Sequence, residues 1–367
     1  EGALTVTATD SHQGSSNTDT MTITITVTGN NDAPTITNSD NTGALTEDAG
    51  TTTVTDTLVF TDDDDADTTL AWSMSGATDN GLTQTLAGTY GSLVVTEASG
   101  AWTYTIDNAD SDTTGIDAGE TPTDAFTVTG TDSNGGSDTE TVTITITGVN
   151  DATSAGSDQT GAITEDAGTT TATGTVAGTD DDAESAITYA GDATGTYGAL
   201  ALTEASGAWV YTIDNTDSDT TALDASDSVT DAFTITATDS DQSSSNTDTM
   251  TVTITITGAN DATSAGADQT GAITEDASTS TATGTVAGTD ADTDAAITYA
   301  GDATGTYGAL ALTEASGAWT YTLDNTDSDT DALAASASVT DTFTITATDS
   351  DQSSSNTDTM TITITIT

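Results

Sequence analysis

The amino-acid sequence predicts an all-β protein of tandem β-sandwich domains, each with about seven strands, and two observations lead to this prediction. Apolar residues alternate strictly with Thr in runs such as TMTITITVT at residues 20–28 and TMTVTITIT at residues 249–257. Alternation of this kind is typical of strands that bury one face. The tripeptide Asn-Asp-Ala also recurs at Asn31, Asn150 and Asn260, at a domain-sized spacing of roughly 110 to 120 residues.

A fixed order of motifs in each repeat predicts the domain boundaries. GALTED or GAITED comes first, then a Thr-rich strand, an acidic cluster, GTYG, TEASGAW, a Phe-containing strand and the Thr/Ile strand. We therefore predict complete repeats at residues 30–148, 149–258 and 259–367. Residues 1–29 match only the last two strands, so we interpret them as the C-terminal F–G hairpin of a preceding repeat. We expect the missing strands upstream in a longer chain, with strands supplied by a neighbouring molecule as the alternative.

Turn residues divide the second repeat into seven candidate strands, A to G. In chain order they are predicted at 161–164, 170–177, 186–190, 197–203, 209–213, 231–238 and 247–257. Seven short strands in about a hundred residues indicate an immunoglobulin-like β-sandwich. Trp209 and Tyr211 lie at alternate positions of one strand, as do Phe233 and Ile235, so we predict that they form the core. Gly207 suits the left-handed position of a hairpin turn.

The charge balance limits the partners of the chain, because it has no Lys or Arg, 60 Asp and Glu residues and a formal net charge of -60. Nucleic-acid phosphates and anionic lipids require cationic side chains, so we expect no nucleic acid and no direct membrane insertion. No apolar run approaches the roughly 20 residues that cross a bilayer. The absence of Cys excludes disulfides. Clustered carboxylates favour a hard divalent cation, and we predict Ca²⁺.

Several motifs resemble a known family. These are TGNNDAP, TGVNDAT and TGANDAT at the boundaries, GTYGALALTEASGAWVYTIDN in the middle of a repeat, and TDAFTITATDSD near its end. Together they resemble the VCBS repeats of giant bacterial surface adhesins of the RTX-adhesin type, with a cadherin-like arrangement of domains. The resemblance extends over essentially the whole chain. The calcium-binding RTX nonapeptide is absent from the sequence, so we expect no β-roll in this segment.

Sandwich topology predicts where the acidic residues meet. Successive strands run in opposite directions, so the preceding linker, the B–C loop and the F–G loop lie at one end of a domain. The A–B loop, the E–F loop and the following linker lie at the other. At the joint between the first and second repeats this gathers Glu47, Asp107, Asn108, Asp110, Asn150, Asp151, Asp180, Asp182 and Asp239. We predict one oxygen-rich metal site there.

The resemblance to cadherin-like modules implies the same kind of site at the other joints. In such modules calcium is held by an early Glu, acids after strand E, an Asn/Asp linker, a DxD in the next B–C loop and an Asp after strand F. The matching residues at the second joint are Glu165, Asp214, Asn260, Asp261, Asp290, Asp292 and Asp349. Ahead of the first repeat they are Asn31, Asp32, Asp62, Asp64 and Asp132. The alternative is that acidic loops only keep a secreted protein hydrated.

Catalysis finds little support in the sequence, and we predict that the protein is not an enzyme. His12 is the only histidine and lies in a loop, and nucleophile-elbow, HExxH, phosphate-loop and aspartic-protease motifs are absent. The Thr ladders could present hydroxyls to ice or mineral, or carry O-linked glycans. A twisted sheet disfavours a flat recognition lattice, so a solvated sheet face is the simpler interpretation.

Together with the resemblance, these features predict a calcium-stiffened stalk or spacer segment of an extracellular bacterial adhesin or surface fibre. Its partners would be neighbouring repeats of the same longer chain. The alternatives are a self-associating matrix or filament subunit and, third, a carbohydrate-binding module. In each case we expect the bacterial cell surface or a secreted matrix as the location.

Overall fold

The structure is a computed structural model, and it describes residues 1–12, 17–38, 41–64, 69–182, 186–239, 246–293, 295–349 and 356–367. The chain forms two compact units. The first consists of Glu1–Asp151 with Asp181–Ser185, and the second of Ala152–Asp180 with Ala186–Thr367. Within the described residues, no helix is both long enough and apolar enough to cross a bilayer.

The first unit begins with a two-stranded antiparallel ribbon, β1 (Gly2–Asp10) and β2 (Asn17–Ile25). Leu4 pairs with Ile23 and Val6 with Met21, which places these four apolar side chains on one face. Every residue of both strands is exposed. The ribbon therefore has the strand pattern predicted for an F–G hairpin, while its apolar face packs on no other part of the described chain.

The rest of the first unit is a β-sandwich with a short helix, α1 (Ser111–Thr114). Its strands are β3 (Thr35–Ile36), β4 (Thr42–Thr46), β5 (Thr53–Thr57), β6 (Phe60–Thr61), β7 (Ala71–Met74), β8 (Thr78–Asp79), β9 (Thr83–Ala87), β10 (Gly91–Thr96), β11 (Ala101–Ile106), β12 (Thr123–Thr131) and β13 (Ser137–Thr147). One sheet has the order β4-β13-β12-β7 and the other β5-β11-β10-β9-β8. The β8–β9 hairpin has no counterpart among the strands of the later repeats, which accounts for the greater length of the first repeat.

The second unit contains two further sandwiches of seven strands each. The first has β14 (Gln159–Thr164), β15 (Thr171–Thr175), β16 (Ile187–Gly191), β17 (Gly198–Leu202), β18 (Ala208–Ile213), β19 (Ser228–Asp239) and β20 (Thr247–Thr257). The other has β21 (Gln269–Ile273), β22 (Thr281–Thr285), β23 (Ile297–Gly301), β24 (Gly308–Leu312), β25 (Ala318–Leu323), β26 (Val339–Asp349) and β27 (Thr357–Ile366), with helix α2 (Ser328–Asp331).

The same two sheets recur in both sandwiches of the second unit. In the second repeat, β14-β20-β19-β16 forms one sheet and β15-β18-β17 the other, which corresponds to strands A-G-F-C and B-E-D. Strands β14 and β20 run parallel, from Gln159 opposite Val252 to Thr164 opposite Thr257. The remaining strand pairs are antiparallel. The predicted all-β, immunoglobulin-like sandwich is confirmed.

Alternating side chains from both sheets fill the space between them. Trp209, Tyr211 and Phe233 are 2%, 0% and 0% exposed. The rings of Tyr211 and Phe233 lie 5.9 Å apart in a tilted arrangement. The predicted core is therefore confirmed. Gly207 has a φ of +65°, and a Cβ there would lie 2.3 Å from the Val176 carbonyl oxygen, so the turn requires glycine.

Candidate metal centre

The second unit brings acidic side chains together where its two sandwiches are joined. Glu165 and Asp166 follow β14, and Asp224 lies between β18 and β19. Asn260 and Asp261 follow β20, and Asp290 and Asp292 lie between β22 and β23. Glu165, Asp166 and Asp224 belong to the second repeat, and Asp290 and Asp292 belong to the third. Residues far apart in sequence are thus collected at one joint.

Glu165 occupies the buried side of this joint. Its side chain is 4% exposed, and its Oε1 accepts a hydrogen bond of 2.6 Å from the Ala259 N–H. Burial raises the pKa of Glu165 from 4.5 to about 7, and the charges of Asp261, Asp166 and Asp292 contribute to the increase. The carboxylate of one repeat therefore responds to carboxylates of the next.

The linker is tied to the loop between β22 and β23. The Asp261 N–H donates to Asp292 Oδ2 at 3.0 Å, and the Thr263 hydroxyl donates to Asp290 Oδ2 at 2.7 Å. Asn356 Nδ2 donates to the Asp261 carbonyl, which brings in the segment before β27. These bonds hold the linker, Asp290, Asp292 and Asn356 in one arrangement.

Like charges act on two further carboxylates of the joint. Burial raises the pKa of Asp292 from 3.8 to about 6, assisted by the charges of Asp290, Asp261 and Asp224. Burial also raises the pKa of Asp261, as do the charge of Asp166 and a hydrogen bond with it. Asp166 adopts a left-handed backbone conformation with a φ of +50°, which Asp tolerates better than most residues. Asp166 and Asp224 were not among the ligands predicted from the sequence.

At the joint, Asp292 Oδ1 and Asn260 Oδ1 are buried and have no hydrogen-bond donor among the described residues. Unpartnered carboxylate and amide oxygens are the donor type that calcium prefers. Within the described part of the chain, however, no three Asp, Glu or His side chains stand in an arrangement that could by itself hold a metal ion. The oxygen chemistry of these residues nevertheless fits calcium.

The first unit contains a similar arrangement around Glu47, which is 2% exposed. Its buried Oε2 has no hydrogen-bond partner within the described part of the chain. Its Oε1 accepts from the Val149 N–H at 2.7 Å, and the Asp151 N–H donates to Asp182 Oδ2 at 2.9 Å. Burial raises the pKa of Glu47 to about 7, with Asp151, Asp48 and Asp182 contributing.

Ahead of the first sandwich, the same linker pattern recurs. The Asp32 N–H donates to Asp64 Oδ2 at 2.9 Å, and the Asp64 N–H donates to Asp62 Oδ1 at 2.9 Å. Asn31 Nδ2 donates to Asp132 Oδ2 at 3.1 Å. Asn31 Nδ2 also donates to the Asp32 carbonyl at 2.9 Å, so the structure joins all five residues predicted here into one hydrogen-bonded group.

Other predicted ligands have local contacts. Asp107 Oδ1 accepts from the Ala109 N–H, and Asp110 Oδ1 caps α1 through the Asp112 N–H. The Thr216 hydroxyl and N–H hold the pKa of Asp214 below its ordinary value. Asp214 lines a surface cavity of about 480 Å³ with residues such as Thr194 and Thr212.

The remaining candidates are Asn108, which follows strand E of the first repeat, and three acids of the second unit. Asn108 Oδ1 is buried, and no residue that the structure describes forms a hydrogen bond with it. Asp180 Oδ2 accepts from the Thr153 hydroxyl at 2.8 Å. Asp239 and Asp349 are buried at the ends of β19 and β26, where their N–H groups donate to Asn246 and Asn356. Among the acids that follow strand E of the second repeat, Asp224 is the one whose charge contributes to the raised pKa of Asp292.

The raised pKa of Glu165 predicts a pH dependence in the presence of a chelator. The folded state retains a proton that the unfolded chain loses near pH 4.5, so the free energy of unfolding should fall as the pH rises from about 4.5 to about 7. Hydrogen exchange at residues 257–261 measures this. Glu165→Gln should flatten the dependence, whereas Glu204→Gln, at an exposed position of the same repeat, should leave it unchanged. Equal slopes in both variants would contradict the assignment.

Comparison with known proteins gives the family. A family model for the bacterial cadherin-like domain matches residues 31–148 and 260–366. The chain belongs to the bacterial cadherin-like domain family. Membership of this cadherin-like family supports an extracellular role in adhesion or structure. The comparison with curated proteins found no match to this chain.

Two solved structures share the cadherin-like fold with this chain. One is titled protocadherin gamma B2 extracellular cadherin domains 1–5, with 15% identity, a TM-score of 0.52, and coverage of 100% of this chain and 66% of that chain. The other is the protocadherin gammaB4 extracellular domain, with 17% identity, a TM-score of 0.50, and coverage of 100% and 54%. The chain thus spans between about half and two thirds of their lengths. At this identity the similarity shows the fold alone.

Proposed function

We propose that the chain is a calcium-stiffened stalk or spacer segment of an extracellular bacterial adhesin or surface fibre of the VCBS type. The observation that carries this proposal is the group of carboxylates at the second joint, where Asp224 of the second repeat acts on Asp292 of the third. Mutual repulsion of these groups opposes a fixed joint at neutral pH. A bound divalent cation would convert that repulsion into attraction.

The residues that would hold calcium at the second joint are Glu165, Asp166, Asp224, Asn260, Asp261, Asp290 and Asp292. About three divalent ions would balance the six carboxylates among them. Calcium supplies a hard positive charge there, while Thr263 and the Asp261 N–H orient Asp290 and Asp292. Because calcium would bridge carboxylates of both sandwiches, binding would restrict the motion of one sandwich against the other. The function is therefore mechanical, and the domain boundaries at residues 30–148, 149–258 and 259–367 are part of this proposal.

A self-associating matrix or filament subunit is the second candidate, favoured by the ribbon β1–β2. On its apolar face, the side chains of Leu4, Met21 and Ile25 are 58%, 60% and 51% exposed. An exposed face of this kind is a site where another chain can pack. We rank this candidate below the stalk, because the ribbon is one small element whereas the acidic joint involves both sandwiches of the second unit.

Solution scattering with mass measurement tests the proposal on the full chain. In calcium we expect a constant monomeric mass and a narrow distribution of the radius of gyration. Chelation should broaden that distribution as the joints loosen, and magnesium at equal concentration serves as the control for ionic strength. Identical scattering with calcium and chelator would contradict calcium stiffening. A mass that grows with protein concentration in calcium would favour the filament.

A further inference from the structure

Each complete repeat buries one carboxylate near the start of strand F. Asp124, Asp231 and Asp341 are 4%, 3% and 3% exposed. They lie on β12, β19 and β26. An isolated carboxylate inside a protein is costly unless other groups compensate its charge, and this chain has no Lys or Arg to do so.

The compensation comes from hydrogen-bond donors of the opposite sheet. In the second repeat, Asp231 Oδ1 accepts from the Thr196 N–H at 2.7 Å, and Oδ2 accepts from the Tyr197 N–H at 3.1 Å. The Tyr211 hydroxyl donates to Oδ2 at 2.9 Å. Asp231 belongs to the β14-β20-β19-β16 sheet, whereas Tyr211 is on β18 of the other sheet and Thr196 and Tyr197 lead into β17. One carboxylate thus connects both sheets through three donors.

The GTYG motif is shaped to fit this carboxylate. The turn closes with a 2.8 Å bond from the Gly195 N–H to the Gly198 carbonyl. A Cβ at Gly195 would lie 2.2 Å from Asp231 Oδ2, and one at Gly198 would lie 2.6 Å from the Tyr211 hydroxyl. Both glycines therefore allow the close approach that brings the two N–H donors to Asp231.

The arrangement recurs in the other two repeats. The tyrosine hydroxyl bond is 2.7 Å for Tyr104 with Asp124 and 2.8 Å for Tyr321 with Asp341. The Thr89 and Thr306 N–H groups each donate at 2.8 Å, and the Tyr90 and Tyr307 N–H groups at 3.1 and 3.0 Å. Burial raises the pKa of the Tyr211 hydroxyl, as does its bond to Asp231, so the hydroxyl remains a donor at neutral pH.

We propose that Asp124, Asp231 and Asp341 are metal-independent fasteners that hold the two sheets of each sandwich together through the GTYG turn and the strand-E tyrosine. Hydrogen bonds to an ionised group inside a protein are stronger than those between neutral groups. In this chain, which has no Lys or Arg to form salt bridges, these hydrogen bonds stabilise the buried carboxylates. The inference does not depend on the calcium site. If both hold, loss of calcium loosens the joints while each sandwich stays folded.

A double-mutant cycle in the full chain tests the fastener. Hydrogen exchange during thermal unfolding follows each repeat separately, so the first and third repeats serve as internal controls. Tyr211→Phe should lower the melting temperature of the second repeat by roughly 10 °C, and Asp231→Asn by at least as much. Both changes act on the same bond, because Tyr211→Phe removes its donor and Asp231→Asn removes the charge of its acceptor. The double variant should therefore lose clearly less than the sum of the two.

Tyr189→Phe provides the matched control. Tyr189 is also buried, but its hydroxyl accepts from the Gly178 N–H at 2.8 Å, and its strand pairs with β19 at Ala237. Its effect should add to that of Asp231→Asn. Equal coupling in calcium and in chelator supports a metal-independent fastener. Additive effects of Tyr211→Phe and Asp231→Asn, or coupling that requires calcium, would overturn the proposal.

Discussion

Asp292→Asn is expected to weaken calcium binding at the second joint on the order of 10- to 100-fold and to have opposite effects on stability with and without calcium. In chelator, the ionised Asp292 is unfavourable at pH 7.5, because burial and the neighbouring acids raise its pKa to about 6. Removing its charge should then stabilise the joint, since each pKa unit corresponds to about 1.4 kcal/mol. In saturating calcium, the same change removes a ligand and should destabilise it.

Calcium titration calorimetry and hydrogen exchange at residues 259–293 measure these two effects. Asp302→Asn is the matched control because it removes the same charge from an exposed position in the same repeat. The control should change calcium affinity less than about two-fold. An Asp292→Asn variant that binds calcium as tightly as the parent chain, or that loses stability in chelator, would refute the role assigned to this carboxylate.

Trp209→Ala is expected to destabilise the second repeat by about 3–5 kcal/mol, the loss typical of truncating a buried aromatic side chain. Trp209 is 2% exposed, and its ring lies against Gly161 and Gly174, whose absent Cβ atoms leave the space that it fills. Truncation removes buried apolar area and leaves a cavity between the sheets. A loss of this size exceeds a third of the stability of many domains, so the second repeat should unfold at a markedly lower temperature.

Val210→Ala is the control that tests whether the expected loss arises from burial of the side chain and not from its location on β18. Val210 is the next residue of β18 but is 40% exposed on the opposite face. Its truncation should cost less than about 1 kcal/mol. Denaturant unfolding followed by hydrogen exchange of each repeat measures both variants. Similar losses for Trp209→Ala and Val210→Ala would mean that β18 does not bury the face that the structure shows.

Most strands were predictable because their pattern is local. The alternation of Thr with Ile, Val or Met predicts β20 at its observed bounds, Thr247–Thr257. Strand β19 begins three residues earlier than predicted, at Ser228, because pairing with β20 extends a strand beyond its most apolar part. The β8–β9 hairpin was not predicted. Its residues 78–87 contain few apolar side chains, and their pairing depends on β10 as a neighbour.

The candidate site was only partly predictable from motifs. Glu165, Asp261 and Asp292 belong to the predicted set, and the charges of Asp261 and Asp292 contribute to the raised pKa of Glu165. Asp166 stands beside Glu165 in the TED motif, so its proximity in sequence could have suggested it. Asp224 gave no such signal, because its place at the joint depends on the path of the chain between β18 and β19. The group of ligands therefore remains a prediction that calcium binding has to test.

The sequence by itself determined the period of the repeats, the strand pattern with one buried face, and an excess of negative charge that no side chain of the protein can neutralise. These properties follow from composition and spacing along the chain. Only the tertiary structure decided which carboxylates meet. It brings Asp231 into contact with three donors, which are the Tyr211 hydroxyl of the opposite sheet and two N–H groups of the GTYG turn. It also places Asp292 where carboxylates of two repeats act on it. The reason is physical: burial and electrostatic interaction depend on distance in space, and strands far apart in sequence become neighbours only when the sheets pack.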